Sequence, residues 1–458
     1  MINLVIILFS LINPIILILN SKSPYDYSSY KYVSKNKNLS TIRIISNSSD
    51  ESSVYITEKP ENPYLLFQVE IHKILGNSTN VEDSELYGVN SACLIQGGSL
   101  KMKYVHITIK NVNGSAAIFS TNEGIAEMKS TAIYSDALSF SSGICTSFLG
   151  RIKANNLWGH TSGYSSPFIL LRDGGSIDCY ECSINTNGEN SDLVQSKGYK
   201  SGYVYLYRSG GTAKKSKICS ISGRASFIID YRSNLKCSAN PIKSDIDQSA
   251  IMLYQTRGKS NFEPKFSCSY STLEIMDSSY YYSTAPMFFV TNTFAKIDLK
   301  DCEINYGSNV FINIRATEEW GIKGSNSGDV VLSLTEQNIE GDFVVDENST
   351  LQINLVKSHI KGTINPSNTV KSLIITLDND STITITGNSY CTTINNEMKS
   401  GKNLINGSFS WIISKPIDPV DSTDPVDTVD PAIDNKTNGI LKSNFIILNL
   451  IVSVILLE

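Results

Sequence analysis

The chain has 458 residues, of which 39 are Lys or Arg and 44 are Asp or Glu, so its formal net charge is -5 at pH 7. A nucleic-acid binder needs a basic surplus to neutralise phosphates, so this balance argues against nucleic acid as a partner. Apolar residues make up 41% of the chain and the mean hydropathy is -0.09, which supplies a large core but excludes a protein with many membrane-spanning helices. Frequent Asn, Ser, Ile and Tyr favour short strands and polar turns over long helices, so the composition predicts an all-β protein.

The N terminus carries an apolar run over residues 4–19, followed by small polar residues. Its length is typical of the core of a secretory signal peptide and is short for a membrane span of ~20 residues. We therefore predict a signal peptide over residues 1–23. Because no Lys or Arg precedes the run, an uncleaved anchor or a buried helix stays open as the alternative.

The composition changes again towards the C terminus. Residues 414–436 combine Pro and Asp without apolar periodicity, so they cannot bury enough surface to offset chain entropy and are predicted to form a disordered stalk. Residues 437–458 end in a short apolar tail, which is typical of a glycolipid-anchor signal, with Asn435 or Asn438 as the attachment position. A short tail-anchor helix is the alternative. Either way we expect a protein tethered to the membrane on the extracellular face of the cell.

Asn-x-Ser/Thr sequons between the two ends are compatible with a eukaryotic secretory route. The expected product is a glycoprotein. The candidate glycosylation positions are Asn38, Asn47, Asn77, Asn113, Asn348, Asn379 and Asn406.

A nine-residue frame repeats along the middle of the chain. It is clearest over residues 177–185 (IDCYECSIN) and 297–305 (IDLKDCEIN). Apolar residues stand at positions one and three, a small residue at position six and an apolar residue at position eight, which indicates a strand, a corner and a second strand. Clear copies begin at Leu100, Ala126, Ile177, Leu235, Phe266, Ile297, Leu332, Ile353 and Ile375, and imperfect ones at Gly150 and Lys214.

The distance between copies defines the fold class. Successive copies lie between 21 and 37 residues apart, as expected for turns of a solenoid with loops of variable length between strands. Another short apolar strand lies upstream of most copies, so each turn holds two or three strands. We predict an all-β, right-handed parallel β-helix of about 11 or more coils over residues 86–413. Residues 24–85 are predicted to form an N-terminal cap, and the terminal apolar segments lie outside the fold.

Nine cysteines in a chain with a predicted signal peptide favour disulfides, and the odd number leaves at least one cysteine over. In the repeat, Cys182 and Cys219 take position six of consecutive coils, and Cys237 and Cys268 take position three. Neighbouring coils lie ~4.8 Å apart, which is within the Cα separation that a disulfide allows, so these are the predicted pairs. A stack of buried thiols is the alternative.

Catalytic groups do not converge in the repeat. Asp178 and Asp298 share its second position but are four coils apart, too far to act together. The fragment Arg151-Ile152-Lys153 and the pair Gly159-His160 resemble two short motifs of polygalacturonases. They stand in the wrong order and lack the paired aspartates of that family, so we interpret them as coincidence. We predict no metal site and no cofactor, and we favour a protein that is not an enzyme.

The region from Ala250 to Cys391 contains distinctive segments, above all FVTNT at 289–293 and WG at 320–321 followed by GSNSG at 324–328. It resembles adhesin-like right-handed parallel β-helix proteins from the surfaces of anaerobic gut microbes, of the pectin-lyase-like superfamily. The resemblance implies a secreted or surface-displayed β-helix and transfers no particular ligand or activity.

Loops between coils are where a solenoid places binding groups. We take Trp320 with Asn326, Tyr254 with Gln255, and Tyr281 as candidate ligand-binding residues, because an aromatic face stacks on a sugar ring and amides bind its hydroxyls. The alternative is that these aromatic side chains cover apolar edges of the rod. The predicted function is non-catalytic adhesion at the cell surface, with glycans or another cell as the partner.

An extracellular polysaccharide lyase or glycoside hydrolase is the alternative function. Such an enzyme should place two carboxylates, or a carboxylate with Arg or Lys, within ~5–10 Å of each other in a groove along one strand face. An adhesin should instead show aromatic and amide groups without such a pair.

Overall fold

A computed structural model describes residues 29–30, 38–57, 59, 61–242, 247–256, 262–276, 284–322, 326–396, 405–406 and 411–413. The predicted signal peptide, stalk and anchor signal lie outside the described residues, as do Tyr281, Asn435 and Asn438. Within the described part of the chain, no helix has the length and apolar character needed to cross a membrane.

Short strands follow one another along the chain, and one helix, α1 (Val81–Tyr87), interrupts them. The strands are β1 (Ser29–Tyr30), β2 (Asn38–Ser40), β3 (Arg43–Ser46), β4 (Glu51–Ser52), β5 (Val54–Ile56), β6 (Tyr64–Phe67), β7 (Glu70–Ile74), β8 (Cys93–Gln96), β9 (Ser99–Lys103), β10 (His106–Lys110), β11 (Asn113–Thr121), β12 (Ile125–Asp136), β13 (Ser139–Thr146), β14 (Arg151–Thr161), β15 (Ile169–Arg172), β16 (Gly175–Tyr180), β17 (Ser183–Thr186), β18 (Val194–Lys197), β19 (Gly202–Tyr207), β20 (Gly210–Ala213), β21 (Cys219–Ser222), β22 (Ala225–Asp230), β23 (Asn234–Cys237), β24 (Ile251–Tyr254), β25 (Lys265–Ser269), β26 (Thr272–Ile275), β27 (Phe288–Thr291), β28 (Thr293–Lys300), β29 (Glu303–Asn305), β30 (Val310–Ile314), β31 (Gly328–Thr335), β32 (Asn338–Glu340), β33 (Asp342–Val345), β34 (Thr350–Val356), β35 (His359–Gly362), β36 (Ser372–Leu377), β37 (Thr382–Ile385), β38 (Ser389–Cys391), β39 (Thr393–Asn396), β40 (Ile405–Asn406) and β41 (Trp411–Ile413).

The strands pair in parallel and stack on three sides of a coil. One coil runs through β16 on the first side, β17 on the second and β18 on the third, and the next coil begins with β19, which pairs with β16. The third side is an 11-stranded sheet from β5 to β33. The first side and the second side of the earlier coils share a 22-stranded sheet because long strands such as β14 bend through both, and the second side of the last coils is a separate four-stranded sheet, β32-β35-β37-β40. The predicted parallel β-helix is therefore confirmed.

Alternate residues of each strand point into the coil and stack on the equivalent residue of the next coil. On the first side one such column is buried throughout, and Phe227 and Phe266 meet within it edge to face at 5.8 Å between ring centroids. Each buried apolar side chain contributes ~1.5–3 kcal/mol, so the column is a main source of stability. It comprises Ile152, Ile177, Val204, Phe227, Phe266, Ile297, Leu332, Ile353 and Ile375.

The corner between the first and second sides is built from residues in the left-handed conformation. Each is an ordinary non-glycine residue at position five of the frame, except Arg232, which follows an extra left-handed residue, Tyr231. This conformation costs roughly 1–2 kcal/mol. The backbone ladder continues through the corner and holds it, since Glu181 N–H donates to the Tyr207 carbonyl at 2.9 Å and Tyr270 N–H to the Lys300 carbonyl at 2.9 Å. With φ between 48° and 57°, these residues are Tyr104, Ser130, Asn156, Glu181, Arg208, Arg232, Tyr270, Asp301, Glu336 and Lys357.

A ladder of side-chain oxygens follows at position six. Ser209 Oγ accepts from the N–H of Cys182 at 3.0 Å, and Ser233 Oγ accepts from the N–H of Ser209 at 3.1 Å. Ser271 Oγ continues the series by accepting from Ser233 N–H at 3.2 Å. Each oxygen satisfies a buried N–H that the corner takes out of the backbone ladder, which explains why small polar residues recur there.

Coils begin earlier in the chain than predicted. Strands β2, β3 and β5 pair with β6, β7 and β8, so described parts of the region expected to form a cap, residues 24–85, are further coils of the same rod. The sequence pattern hid them because their inward residues include buried polar side chains such as Ser46 and Lys73.

Helix α1 covers the outer face of the third side. Asn80 caps it by accepting from Glu82 N–H at 3.0 Å, Glu82 and Asp83 favour its first turn, and Gly88 ends it at φ 78°. A Cβ on Gly88 would lie 2.6 Å from Phe119, so only glycine fits there. Glu85 ties the helix to β18 through Lys197 at 2.9 Å.

Three copies of the predicted frame were wrong. Ala126 pairs with Ile152, so that coil begins at Ile152 and not at Gly150. Cys219 lies in the third side, where it pairs with Val194, although its spacing from Ile221 imitates positions six and eight. Leu235 pairs with Leu273 on the second side and therefore occupies position eight, not position one.

Both predicted disulfides are wrong for the same reason. Cys182 lies at the corner after β16, whereas Cys219 lies in the third side. Cys237 lies in the second side opposite Ile275, whereas Cys268 lies in the first side. All nine cysteines are buried, and neither of the predicted bridges is present.

Replacing Ser233, which is buried, by alanine tests the side-chain ladder. The S233A change leaves the buried N–H of Ser209 without its acceptor and should destabilise the protein by about 1–3 kcal/mol. The matched control is Ser267→Ala, an outward-facing serine of the same sheet, with an expected effect within about 0.5 kcal/mol. Urea denaturation measures both, and equal effects would contradict a structural role for the ladder.

Candidate functional site

The structure brings two of the predicted binding aromatics together but buries them. Trp320 and Tyr254 are 4% and 5% exposed, and their rings meet at 4.6 Å between centroids with an interplanar angle of 69°. Met252 and Phe289, on the outer face of the third side, complete the cluster. Neither ring offers a face to a sugar, so the predicted stacking site is wrong.

The two predicted amides tie loops to the rod. Asn326 Nδ2 donates to the carbonyl of Trp320 at 2.9 Å and also to that of Thr317. Gln255 bridges to Gly223, accepting from its N–H at 3.2 Å and donating to its carbonyl at 3.3 Å. These side chains hold loops against the third side, so the alternative interpretation, coverage of apolar edges, is the one that the structure supports.

The glycosylation candidates differ in accessibility. Asn113 is half-buried and its Oδ1 accepts from Ser139 Oγ at 2.5 Å, which makes it a poorer acceptor for a glycan. Asn406 lies in β40, and its side chain is outside the described residues. The exposed candidates are Asn38, Asn47, Asn77, Asn348 and Asn379.

A groove of about 1040 Å³ crosses several coils on the outer face of the first side. Its floor consists of outward-pointing residues from consecutive parallel strands, so it follows the length of the rod. We call it the first-side groove. The charged and hydroxyl-bearing side chains that line it are Glu127, Arg151, Lys153, Ser176, Asp178, Ser201, Tyr203, Arg224, Ser226, Glu263 and Lys265.

Opposite charges alternate along the floor of this groove. Glu127 pairs in register with Lys153, and Lys153 with Asp178, so neighbours in this column stand one coil, ~4.8 Å, apart. Partial burial raises the pKa of the Asp178 carboxyl, although the Tyr203 hydroxyl, 3.4 Å from Oδ2, and the charge of Lys153 oppose the shift. Arg151 makes no ion pair within the described residues, so its guanidinium is available to a ligand.

Four tyrosines continue the same face beside the groove. In this tyrosine cluster, Tyr180 lies 5.9 Å from Tyr205 and 6.1 Å from Tyr207, and Tyr207 stacks on Tyr231 at 5.5 Å and 10°. Burial and the neighbouring Asp230 carboxylate, 3.2 Å from the hydroxyl, raise the pKa of Tyr205 to about 12. The cluster presents ring faces to the surface of the rod, with hydroxyl groups at the ring edges.

A second groove of about 840 Å³ lies on the second side of the last coils. Its polar side chains engage one another, since Lys361 bonds Glu340 at 2.6 Å and His359 bonds Thr382 at 2.6 Å. The hydroxyl of Tyr306, the tyrosine of this groove, donates a hydrogen bond to the Glu340 carbonyl. The first-side groove is the better candidate site because it joins aromatic faces with Arg151, which makes no ion pair in the described part of the chain.

The sequence did contain signals for this site. Asp178 stands at the outward second position of the frame and Tyr180 at the outward fourth, and Arg151 and Lys153 are the fragment that we interpreted as coincidence. Lys153 and Asp178 form the pair of carboxylate and cation in a groove that was expected of an enzyme. The tyrosine cluster supplies the aromatic groups that were expected of an adhesin. The described residues contain no group of three or more His, Cys, Asp or Glu able to hold a metal ion.

Comparisons with protein-family models, with curated proteins and with solved structures found no match for this chain. The resemblance to adhesin-like surface proteins therefore stays a prediction. What can be stated of the chain is its class, a parallel β-helix with an open groove on one side.

Removal of Trp320 tests whether it supports the rod. The W320A change deletes the centre of the cluster that joins the loop to Tyr254 and Phe289, and should cost about 3–5 kcal/mol. Trp158, an exposed tryptophan that packs on Tyr134, is the matched control, with W158A expected to cost about 1 kcal/mol. Urea unfolding of both variants makes the comparison, and a cost for W320A no greater than for W158A would argue against its structural role.

Proposed function

We propose that the chain is a polysaccharide-binding protein of the cell surface, and that the first-side groove with the tyrosine cluster holds the sugar chain. The observation that carries the proposal is the tyrosine cluster, which lies on an open face directly beside a polar groove. Tyrosine combines an apolar ring face with a hydroxyl group, which suits sugars because they have apolar faces and polar edges.

The shape of the site favours an extended ligand. The groove crosses the coils from Glu127 towards Lys265, and a linear polysaccharide lying along the rod would meet equivalent positions of successive coils. A small ligand would need an enclosed pocket with convergent polar groups instead.

The charges favour acidic sugars. Arg151 is unpaired within the described residues, and Lys153 faces the ring of Tyr180 at 5.5 Å. A guanidinium binds a carboxylate through two parallel hydrogen bonds, so a uronate residue is the ligand group that fits Arg151 best. Surface location and tethering rest on the terminal segments of the sequence.

Binding to polygalacturonate, with neutral xylan as the comparison, tests this function. The Y207A change removes a stacking face and should weaken binding of both polysaccharides by about 10-fold, whereas R151A should weaken only polygalacturonate. Tyr164, an exposed tyrosine elsewhere on the rod, provides the control Y164A. Affinity electrophoresis in polysaccharide gels measures the effect, and wild-type mobility unaffected by either polysaccharide would refute the proposal.

Catalysis is the second candidate, and the raised pKa of Asp178 beside Lys153 is the observation that favours it. A protonated Asp178 would act as a general acid towards the leaving glycosidic oxygen, so the rate should fall as pH rises through its pKa.

Incubation with polygalacturonate, followed by assays for reducing ends and unsaturated products, detects either hydrolysis or elimination. If turnover occurs, D178N should abolish it and retain binding, while D298N, four coils away, should not. If no product forms, the catalytic candidate is refuted and polysaccharide binding is the remaining proposed function.

A further inference from the structure

Two thiols of neighbouring coils face each other inside the rod. The sulfur atoms of Cys268 and Cys302 are 2.7 Å apart, and both residues are buried, at 1% and 7% exposure. Cys268 belongs to β25, at position three of its coil, and Cys302 stands at position six of the next coil, directly after the left-handed residue Asp301.

This meeting is a consequence of the repeat. A side chain at position six lies over position three of the preceding coil, as Ser209 Oγ shows by donating to the Cys179 carbonyl at 3.4 Å. Cys182 follows the same rule, with its sulfur 3.9 Å from the carbonyl of Ala154. Cys302 differs only in that the residue beneath it is also a cysteine.

The backbone around Cys302 is fixed on the opposite side as well. Its N–H donates to Gln337 Oε1 at 2.9 Å, and Gln337 Nε2 donates back to its carbonyl at 2.7 Å. Cys302 is therefore held between the coils on either side, and its sulfur stays directed at Cys268.

We propose that Cys268 and Cys302 form a disulfide that joins two consecutive coils of the folded protein. This pairing replaces the two that the sequence predicted, and it depends neither on glycan binding nor on catalysis. It makes the corner a covalent modification site as well as a packing site.

The oxidant is a small-molecule disulfide such as oxidised glutathione. One cysteine thiolate attacks a glutathione sulfur and releases one glutathione, and the second cysteine then attacks the mixed disulfide and releases the other. Two thiols of the protein are oxidised, one glutathione disulfide is reduced to two glutathiones, and two thiol protons are transferred to them.

The reaction belongs to folding, before the coils close. The hydrogen bond between the two thiols raises the pKa of Cys268 and lowers that of Cys302, but both side chains are buried once the coils have closed, so a dissolved oxidant reaches them only during folding. Closing a loop of 34 residues also restricts the unfolded chain, so the bond should raise the unfolding temperature by about 5 °C.

Peptide mapping of the full-length chain decides the proposal. The protein is refolded in a mixture of oxidised and reduced glutathione, free thiols are alkylated under denaturing conditions, and the non-reduced digest is analysed by mass spectrometry. We expect a peptide pair linking Cys268 to Cys302 that separates on reduction. Recovery of both cysteines as alkylated linear peptides, or of either one linked to another cysteine, would overturn the proposal.

Variants add an independent readout. C302S should unfold at the same temperature with and without reductant, whereas the wild type should lose about 5 °C on reduction. The matched control is C93S, which alters another buried cysteine, on the third side, and should keep the redox-dependent difference. If C302S does not fold, the wild-type peptide map still gives the answer.

Discussion

The whole rod depends on one constraint, that the inward side chains of each coil lie in register on those of the coils before and after it. Parallel strands ~4.8 Å apart bring equivalent positions into contact, so a change in one coil is felt by two others. Phe288, Ile312 and Phe343 of successive coils lie in register, and Phe311, at the bulge beside Ile312, contacts both phenylalanines at 5.4 and 5.3 Å between ring centroids. Stability therefore accumulates along the rod, coil by coil.

Polar groups inside the rod are tolerated where the chain satisfies them locally. Lys73 is fully buried, donates to the carbonyls of Ser48 and Glu51 at 2.6 and 2.8 Å, and has its pKa lowered to about 8 by burial. Lys217 is buried in the same way against Asp247, at 3.4 Å from its carboxylate. In both cases a long side chain joins the coil to loop carbonyls, which fixes the loop where the apolar pattern of the strands is interrupted.

Most of the architecture was predictable because inward positions repeat with period two. The frame at Ile177 and Ile297 gave the coil and its corner correctly. It failed where another side imitated its spacing, as with Cys219, since a single sequence does not reveal which of three sides a short apolar strand belongs to. The frame places Cys268 at position three and Cys302 at position six of consecutive coils, but only the structure shows that position six lies over position three of the preceding coil.

The burial of Trp320 is a feature that the apolar pattern of the strands does not fully predict. Strands β24 and β27 read IMLY and FFVT, apolar at outward as well as inward positions, which is the pattern of a strand covered on both faces. That pattern was a signal that a loop folds over the third side. The position of Trp320 within that loop follows from tertiary packing on Met252 and Phe289 and has no periodic signature.

A helix and a loop cover parts of the third side, which limits where a ligand can bind. Helix α1 protects Leu94 and Phe119 there, and the Trp320 loop protects Met252 and Phe289, so apolar outward residues on that side are accounted for by packing. Among the described residues, no helix or loop covers the tyrosine cluster on the first side in this way, and Tyr231 is 41% exposed. Outward positions of a β-helix do not need aromatic residues for stacking of the core, because the inward columns already supply it. A polysaccharide lying across these rings would shield their faces and leave their hydroxyls in contact with sugar and water, which suits the amphipathic character of tyrosine.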